Sequence, residues 1–378
     1  MSSNMEVDMH NPAFDSRDSG AHTDWRLRLA LAGTALAVVV VVLGAFTRLA
    51  DAGLGCPDWP GCYGHLTWPD EHHEIETANA AFPHAPVETD KTWPEMVHRY
   101  FAGALLLLVG GLTVLAWRRR GHRAFKQTHF LLALILLQAA FGMWTVTLKL
   151  WPQVVTAHLL GGMATLSMLW LMVERLRNAP PSKGRFIPAH EYRLLQKIRP
   201  LAFAATGAVV LQIALGGWTS SNYAALACAD FPTCHGEWWP QTDFRQGFNI
   251  AQQIGPNYLG GTLESDARTA IHVAHRLGAL LVSILVLALA AFAWRAGSHR
   301  WAAGLAGVLL LQVSLGIANV VMFLPLPIAV AHNAGAAVLL LGLLTFCYRI
   351  QTAQPRVSNR DGIPEKPGVD NTALAGTL

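Results

Sequence analysis

Charge is scarce in this chain. Only 14% of its 378 residues are Asp, Glu, Lys or Arg, while 52% are hydrophobic. The mean hydropathy is +0.32. That balance excludes an ordinary soluble domain and points to an integral membrane protein. The net charge of +4 does not require nucleic acid as a partner, because the positive residues sit in short loops between apolar runs. Cysteine is also sparse, with five in all. Four form two close pairs, Cys56/Cys62 and Cys228/Cys234, and Cys347 stands alone in an apolar run as a small core residue. No recognisable four-ligand zinc pattern accompanies them, although His65 and His235 fall close. A short cleavable leader is not expected either. Residues 1–24 are polar, and the first apolar stretch begins near Leu27, too far in and too long for a signal peptide.

Long apolar runs are plentiful. Eight are long enough to cross a bilayer core, which takes about 20 residues per helix. They lie near 27–49, 95–117, 127–149, 153–175, 200–220, 269–294, 301–323 and 326–349. The spacing predicts an all-α integral membrane protein of two four-helix bundles, 27–175 and 200–349. A cytoplasmic linker at 176–199 joins them, and tails at 1–26 and 350–378 are expected to be disordered. Arginine and lysine concentrate at 118–126, 176–199 and 295–300, whereas 50–94 is acidic. The positive-inside rule therefore puts both termini in the cytoplasm and the cysteine loops outside. With four helices per half, the halves share one orientation, so the expected relation is a parallel repeat.

The repeat is visible in the residues. Cys56-Pro-Asp58-Trp59-Pro60-Gly-Cys62-Tyr-Gly64 returns as Cys228-Ala-Asp230-Phe231-Pro232-Thr-Cys234-His-Gly236. Each half then supplies two histidines at matching depth, His98 and His158 in the first, His275 and His332 in the second. Ionisable residues in a span are expensive and suggest function. Two imidazoles at one depth on facing helices suit axial ligation of a haem iron. The bland alternative is hydrogen bonding between helices. Glu95 lies three residues before His98, where the second half has His272. Either the carboxylate serves chemistry in one bundle only, or it is a hydrated residue at a helix start. Arg99 and Arg276 each follow a candidate ligand. They either pair with a haem propionate or snorkel to headgroups. Each cysteine pair closes a short loop on the oxidising side, as a structural disulfide or as a redox-active or substrate-contacting pair. His72, His73 and His84 read as solvated.

These motifs, taken in order on eight spans, resemble the haem A synthase family over residues 27–349. The carrying segments are Gly55 to Gly64, Glu95-x-x-His98-Arg99, Ala157-His158-Leu-Leu-Gly161, His275-Arg276 and Ala331-His332-Asn-Ala-Gly335. The resemblance implies that haem O binds the first bundle near Glu95, His98 and His158, and that haem b sits between His275 and His332 of the second. It implies oxidation of a ring methyl of haem O to a formyl group, through a hydroxymethyl stage, for cytochrome oxidase biogenesis in a bacterial inner membrane. The expected partners are membrane lipid, haem O synthase, an electron-transfer protein and further copies of the chain, with no nucleic acid. The competing class is a bis-histidine cytochrome b that only transfers electrons.

Overall fold

The computed structural model describes residues 24–118, 124–178 and 185–356. Among them lie ten helices: α1 (Asp24–Leu49), α2 (His72–Ala81), α3 (Thr89–Arg118), α4 (Ala124–Thr147), α5 (Pro152–Arg177), α6 (Ala189–Ser221), α7 (Phe244–Gly247), α8 (Ser265–Arg295), α9 (His299–Val321) and α10 (Leu326–Thr352). Eight are long and apolar enough to cross a membrane; α2 and α7 are the exceptions. α1 has 26 residues, which at 1.5 Å each is about 39 Å, more than a hydrocarbon core of about 30 Å. In lipid no water satisfies a bare backbone, so an apolar run of this length closes its hydrogen bonds within itself.

The helix contacts fall into two sets. α1 packs on α3 and α5, and α4 on α3 and α5; α6 packs on α8 and α10, and α9 on α8 and α10. The seam between the sets runs along α5–α6, α5–α10 and α1–α10. One continuous core includes Val109, Leu166 and Leu169 from the first set and Leu289, Leu343 and Phe346 from the second. Leu107, Leu211 and Leu310 point outward, well exposed, as a lipid-facing surface requires. Polar groups also cross the seam. Trp170 Nε1 donates to Thr345 Oγ1 at 2.6 Å. Arg48 donates to the Ser220 carbonyl at 2.5 Å and to the Tyr223 hydroxyl at 3.1 Å.

Corresponding turns repeat their backbone. Lys149-Leu150 before α5 and Phe323-Leu324 before α10 all have positive φ, and both helices open with proline in the first turn. A left-handed non-glycine residue is uncommon, so the same pair at both reversals is a shared device.

The structure departs from the sequence reading at three places. α6 begins at Ala189, within the stretch read as linker, and continues through Pro200. Its first turns are polar and carry no membrane signal. α3 and α8 begin at Thr89 and Ser265, earlier than 95 and 269. The tail read as disordered from 350 instead continues α10 to Thr352. Ala353–Pro355 then forms a strand, β2, which pairs in parallel with β1 (Arg185–Ile187). The remaining tail segments, 1–23 and 357–378, and most of the basic 118–126 loop lie outside the described residues.

Candidate functional site

Each disulfide loop is tied to the helix that follows it. Cys56 is bonded to Cys62, and Cys228 to Cys234. Inside each ring an aspartate turns the chain. Asp58 accepts from the N–H groups of Tyr63 at 2.6 Å and Gly64 at 2.8 Å. Asp230 accepts from His235 at 2.7 Å and Gly236 at 3.0 Å. Tyr63 and His235 are left-handed, as are Gly64 and Gly236. The Gly236 amide and the Thr233 hydroxyl, with the His235 amide, hold the Asp230 carboxyl well below the usual range. Burial, then Glu88, Glu95 and Asp58, push the Tyr63 phenol up to about 12. It stays a neutral donor to the carbonyls of Ala85 and Pro86.

The arginines expected near propionates are occupied by these loops. Arg99 donates to the carbonyls of Asp58, Pro60 and Gly61 and forms an ion pair with Glu95. Arg276 donates to Cys228, Asp230, Pro232 and Thr233. A planar guanidinium suits several carbonyls at once. Neither arginine extends freely to a headgroup, as snorkelling would have it. Arg276 keeps its buried Nε without a partner.

Glu95 is buried. One oxygen accepts the Cys56 N–H at 3.0 Å and the other meets Arg99. His272 takes the equivalent bond in the second half, its Nδ1 accepting the Cys228 N–H at 3.3 Å. The two positions thus share an anchoring bond, and only the first adds a carboxylate. A hydrated glutamate at a helix start does not describe a side chain this enclosed.

The four histidines lie inside their sets of helices. His98 on α3 and His158 on α5 face one another, ring centroids 6.4 Å apart and planes at 89°. Two imidazoles on opposite sides of one metal, each about 2 Å from it, place their centroids about 6 Å apart. The buried Nδ1 atoms of His98, His158 and His332 have no hydrogen-bond partner, an open requirement in a dry site. Every ring rests on a glycine of a neighbouring helix. A Cβ added there would meet the ring's Cε1 at 2.9 Å for Gly44 under His98, 3.5 Å for Gly142 under His158, 3.3 Å for Gly216 under His275 and 3.0 Å for Gly316 under His332. Sequence reasoning missed these seats. For three of the four the signal was Gln-x-x-x-Gly, at Gln138/Gly142, Gln212/Gly216 and Gln312/Gly316.

The other flagged residues do not join the histidines. His72 pairs with Glu76 and His73 with Glu71, all exposed. His235 bonds the Ala227 carbonyl within its own loop. Cys347 is buried beside Thr206. Among the described residues, no three or more His, Cys, Asp or Glu side chains gather as a metal cluster. The donor set is pairs of imidazoles.

Comparison with known proteins adds an independent finding. The family model for cytochrome oxidase assembly proteins, COX15-CtaA, matches residues 27–344. A heme A synthase of Shewanella oneidensis is 47% identical over 326 residues, which are 86% of this chain and 95% of that protein. A heme A synthase of Rhizorhabdus wittichii is 28% identical, over 88% of this chain and 95% of that protein. One from Maricaulis maris is 26% identical, over 90% and 99%.

Proposed function

The chain belongs to the COX15-CtaA cytochrome oxidase assembly family, and from that membership we propose that it makes haem A. The reaction is oxidation of the ring methyl of haem O to a formyl group through a hydroxymethyl stage. The facing pair His98 and His158 carries this reading, because beside them the first half alone has a carboxylate, Glu95. A chain that only passed electrons would have no use for that difference.

We assign haem O, the substrate, to His98 and His158, and haem b, the resident cofactor, to His275 and His332. The donor chemistry fits, since neutral imidazoles ligate iron through Nε2 while Nδ1 carries the proton. When bound, haem b supplies one-electron transfer. The chain's own residues do the rest. The seat glycines let the rings lie close to the helices. Glu95 places a negative charge, braced by Arg99 and the Cys56 N–H, at the disulfide end of the first site. There it stabilises positive charge at the oxidised carbon or orients water. Arg276 Nε is a buried donor left for a propionate of haem b. The disulfide loops cover the same ends of both sets and hold these side chains in place. We read the halves as parallel repeats, with those loops outside the cell membrane and both termini inside.

Mass spectrometry of haem extracted from the purified protein tests the proposal. Haem O, a hydroxylated haem or haem A beside haem b is the expected result. Haem b alone, from cells that make haem O, would instead favour an electron-transfer cytochrome.

A further inference from the structure

Three of the four histidine seats share a second feature. Four residues before the seat glycine stands a glutamine: Gln138 on α4, Gln212 on α6 and Gln312 on α9. Three residues after the histidine stands another glycine: Gly161, Gly278 and Gly335. The glutamine amide fills the space where a Cβ on that second glycine would lie. The two helices therefore exchange side chains. The histidine enters a glycine gap on one helix, and the glutamine enters a glycine gap on the other. A glycine inside a helix costs about 0.5–1 kcal/mol relative to alanine, so paired gaps at three sites mark space that is used.

The amide reaches the histidine itself. Gln212 Nε2 donates to the His275 carbonyl at 2.9 Å and lies 3.1 Å from its Nδ1. Gln312 Nε2 lies 3.5 Å from His332 Nε2. In all three glutamines Oε1 is buried without a partner. His158 and His332 likewise have an unpartnered Nδ1. An imidazole that ligates through Nε2 must carry its proton on Nδ1 and needs an acceptor there. Nε2 of Gln212 is committed to the His275 carbonyl and that of Gln312 stands against Nε2 of His332, so the glutamines act on the rings by contact and packing. The backbone carbonyls of Val40, Gln138 and Gln312 also lie toward the rings of His98, His158 and His332. None completes a hydrogen bond with Nδ1.

His98 is the exception. Its seat glycine is Gly44, but four residues earlier stands Val40, and three residues after His98 stands Phe101. Neither the amide nor the gap exists there.

We propose that Gln138, Gln212 and Gln312 are positioning residues, each fixing the ring orientation of the histidine whose helix it enters, and that unclasped His98 is the ligand that releases when substrate haem is exchanged. This rests on the haem assignments above. A substrate must arrive and leave, while a resident cofactor stays, so one weak ligand belongs in the first half and none in the second.

The test uses detergent-purified holoprotein carrying Gln212→Ala, Gln312→Ala, Gln212→Met or Gln312→Met. The EPR g-values of haem b and its dissociation rate are measured. Ala removes the side chain that limits the ring, so the Ala variants should shift the g-values and release haem b about 10- to 100-fold faster. The Met variants, which keep the length, should restore much of the wild-type rate. Unchanged g-values and rates in the Ala variants, or Met variants as fast as the Ala ones, overturn the positioning role. For His98, the reduced protein is loaded with haem O and its displacement by carbon monoxide is timed. Val40→Gln/Phe101→Gly should slow displacement at least tenfold, and Gln138→Val should speed it. Rates unchanged in both overturn the assignment of His98 as the releasing ligand. Wild-type protein without any haem b would instead sink the functional reading itself.

Discussion

At the scale of single residues, Glu95 combines an anchoring bond with a charge, and one substitution separates them. It accepts the Cys56 amide, as His272 accepts the Cys228 amide, and it alone brings a charge. Glu95→Gln keeps an acceptor for the loop and removes the charge. Haem b content should stay near normal while haem A output falls at least tenfold, with haem O or a hydroxylated haem accumulating in the extract. Wild-type output from this variant would leave the carboxylate with only its anchoring bond. Asp230 gives a prediction of a different kind. Its folded-state carboxyl titrates below the unfolded one. Its contribution to the second loop is therefore full at neutral pH and is lost as pH falls below about 4. Proteolysis within 221–264 should quicken in acid in the wild type, and already at neutral pH in Asp230→Ala. Equal cleavage of the two proteins at pH 7 would remove Asp230 as the brace of that turn. Residues of this sort were only half legible. His98, His158, His275 and His332 stood out because a polar ring in an apolar run is rare. The partners of Arg99 and Arg276 did not, since each arginine meets carbonyls some forty residues away.

At the scale of elements, the seat glycines make a half-specific prediction. Valine at Gly216 puts a branched side chain where the His275 ring now lies. Gly216→Val should lose the low-spin haem b spectrum and still accept haem O. Gly142→Val should do the reverse, because its ring is His158. Loss of both haems from either variant would mean that the helices, not the seats, had failed. The spans themselves were readable because an apolar run of about 20 residues has little alternative in lipid. Their ends were less so. The first turns of α6 are polar and outside any apolar window, and α2 and α7 sit in loops whose composition resembles a turn-rich connection. The glutamines were hidden for another reason. Within an apolar run, a single amide is informative only once the opposite glycine is known.

Across the whole molecule, the second disulfide-bearing loop rests on the first half. The Tyr258 amide donates to the Lys149 carbonyl at 3.0 Å, Trp151 Nε1 to Gln252 at 3.2 Å and Gln153 Nε2 to Ile250 at 2.9 Å. Residues 250–258 of that loop therefore tie the two halves together, and Cys228–Cys234 closes a ring earlier in the same loop. Reduction should cost about 2 kcal/mol for so short a ring, and a Cys228→Ser/Cys234→Ser protein should melt several degrees lower. In the oxidised wild type, thiol reagents applied after unfolding should label Cys347 alone; labelling of all five cysteines would exclude both bridges. At the opposite end of the helices, the pairing of β1 with β2 has a consequence for the order of synthesis. β1 leaves the ribosome long before β2, which follows the last helix. At roughly 5–20 residues per second, that interval is about ten to thirty seconds. Throughout it the backbone of Arg185–Ile187 has an unpaired edge, and the segment joining the halves is not yet fastened. A nascent chain stopped at Thr352 has all eight spans but no fastening. The segment joining the halves is therefore fastened only by three residues made after the last span.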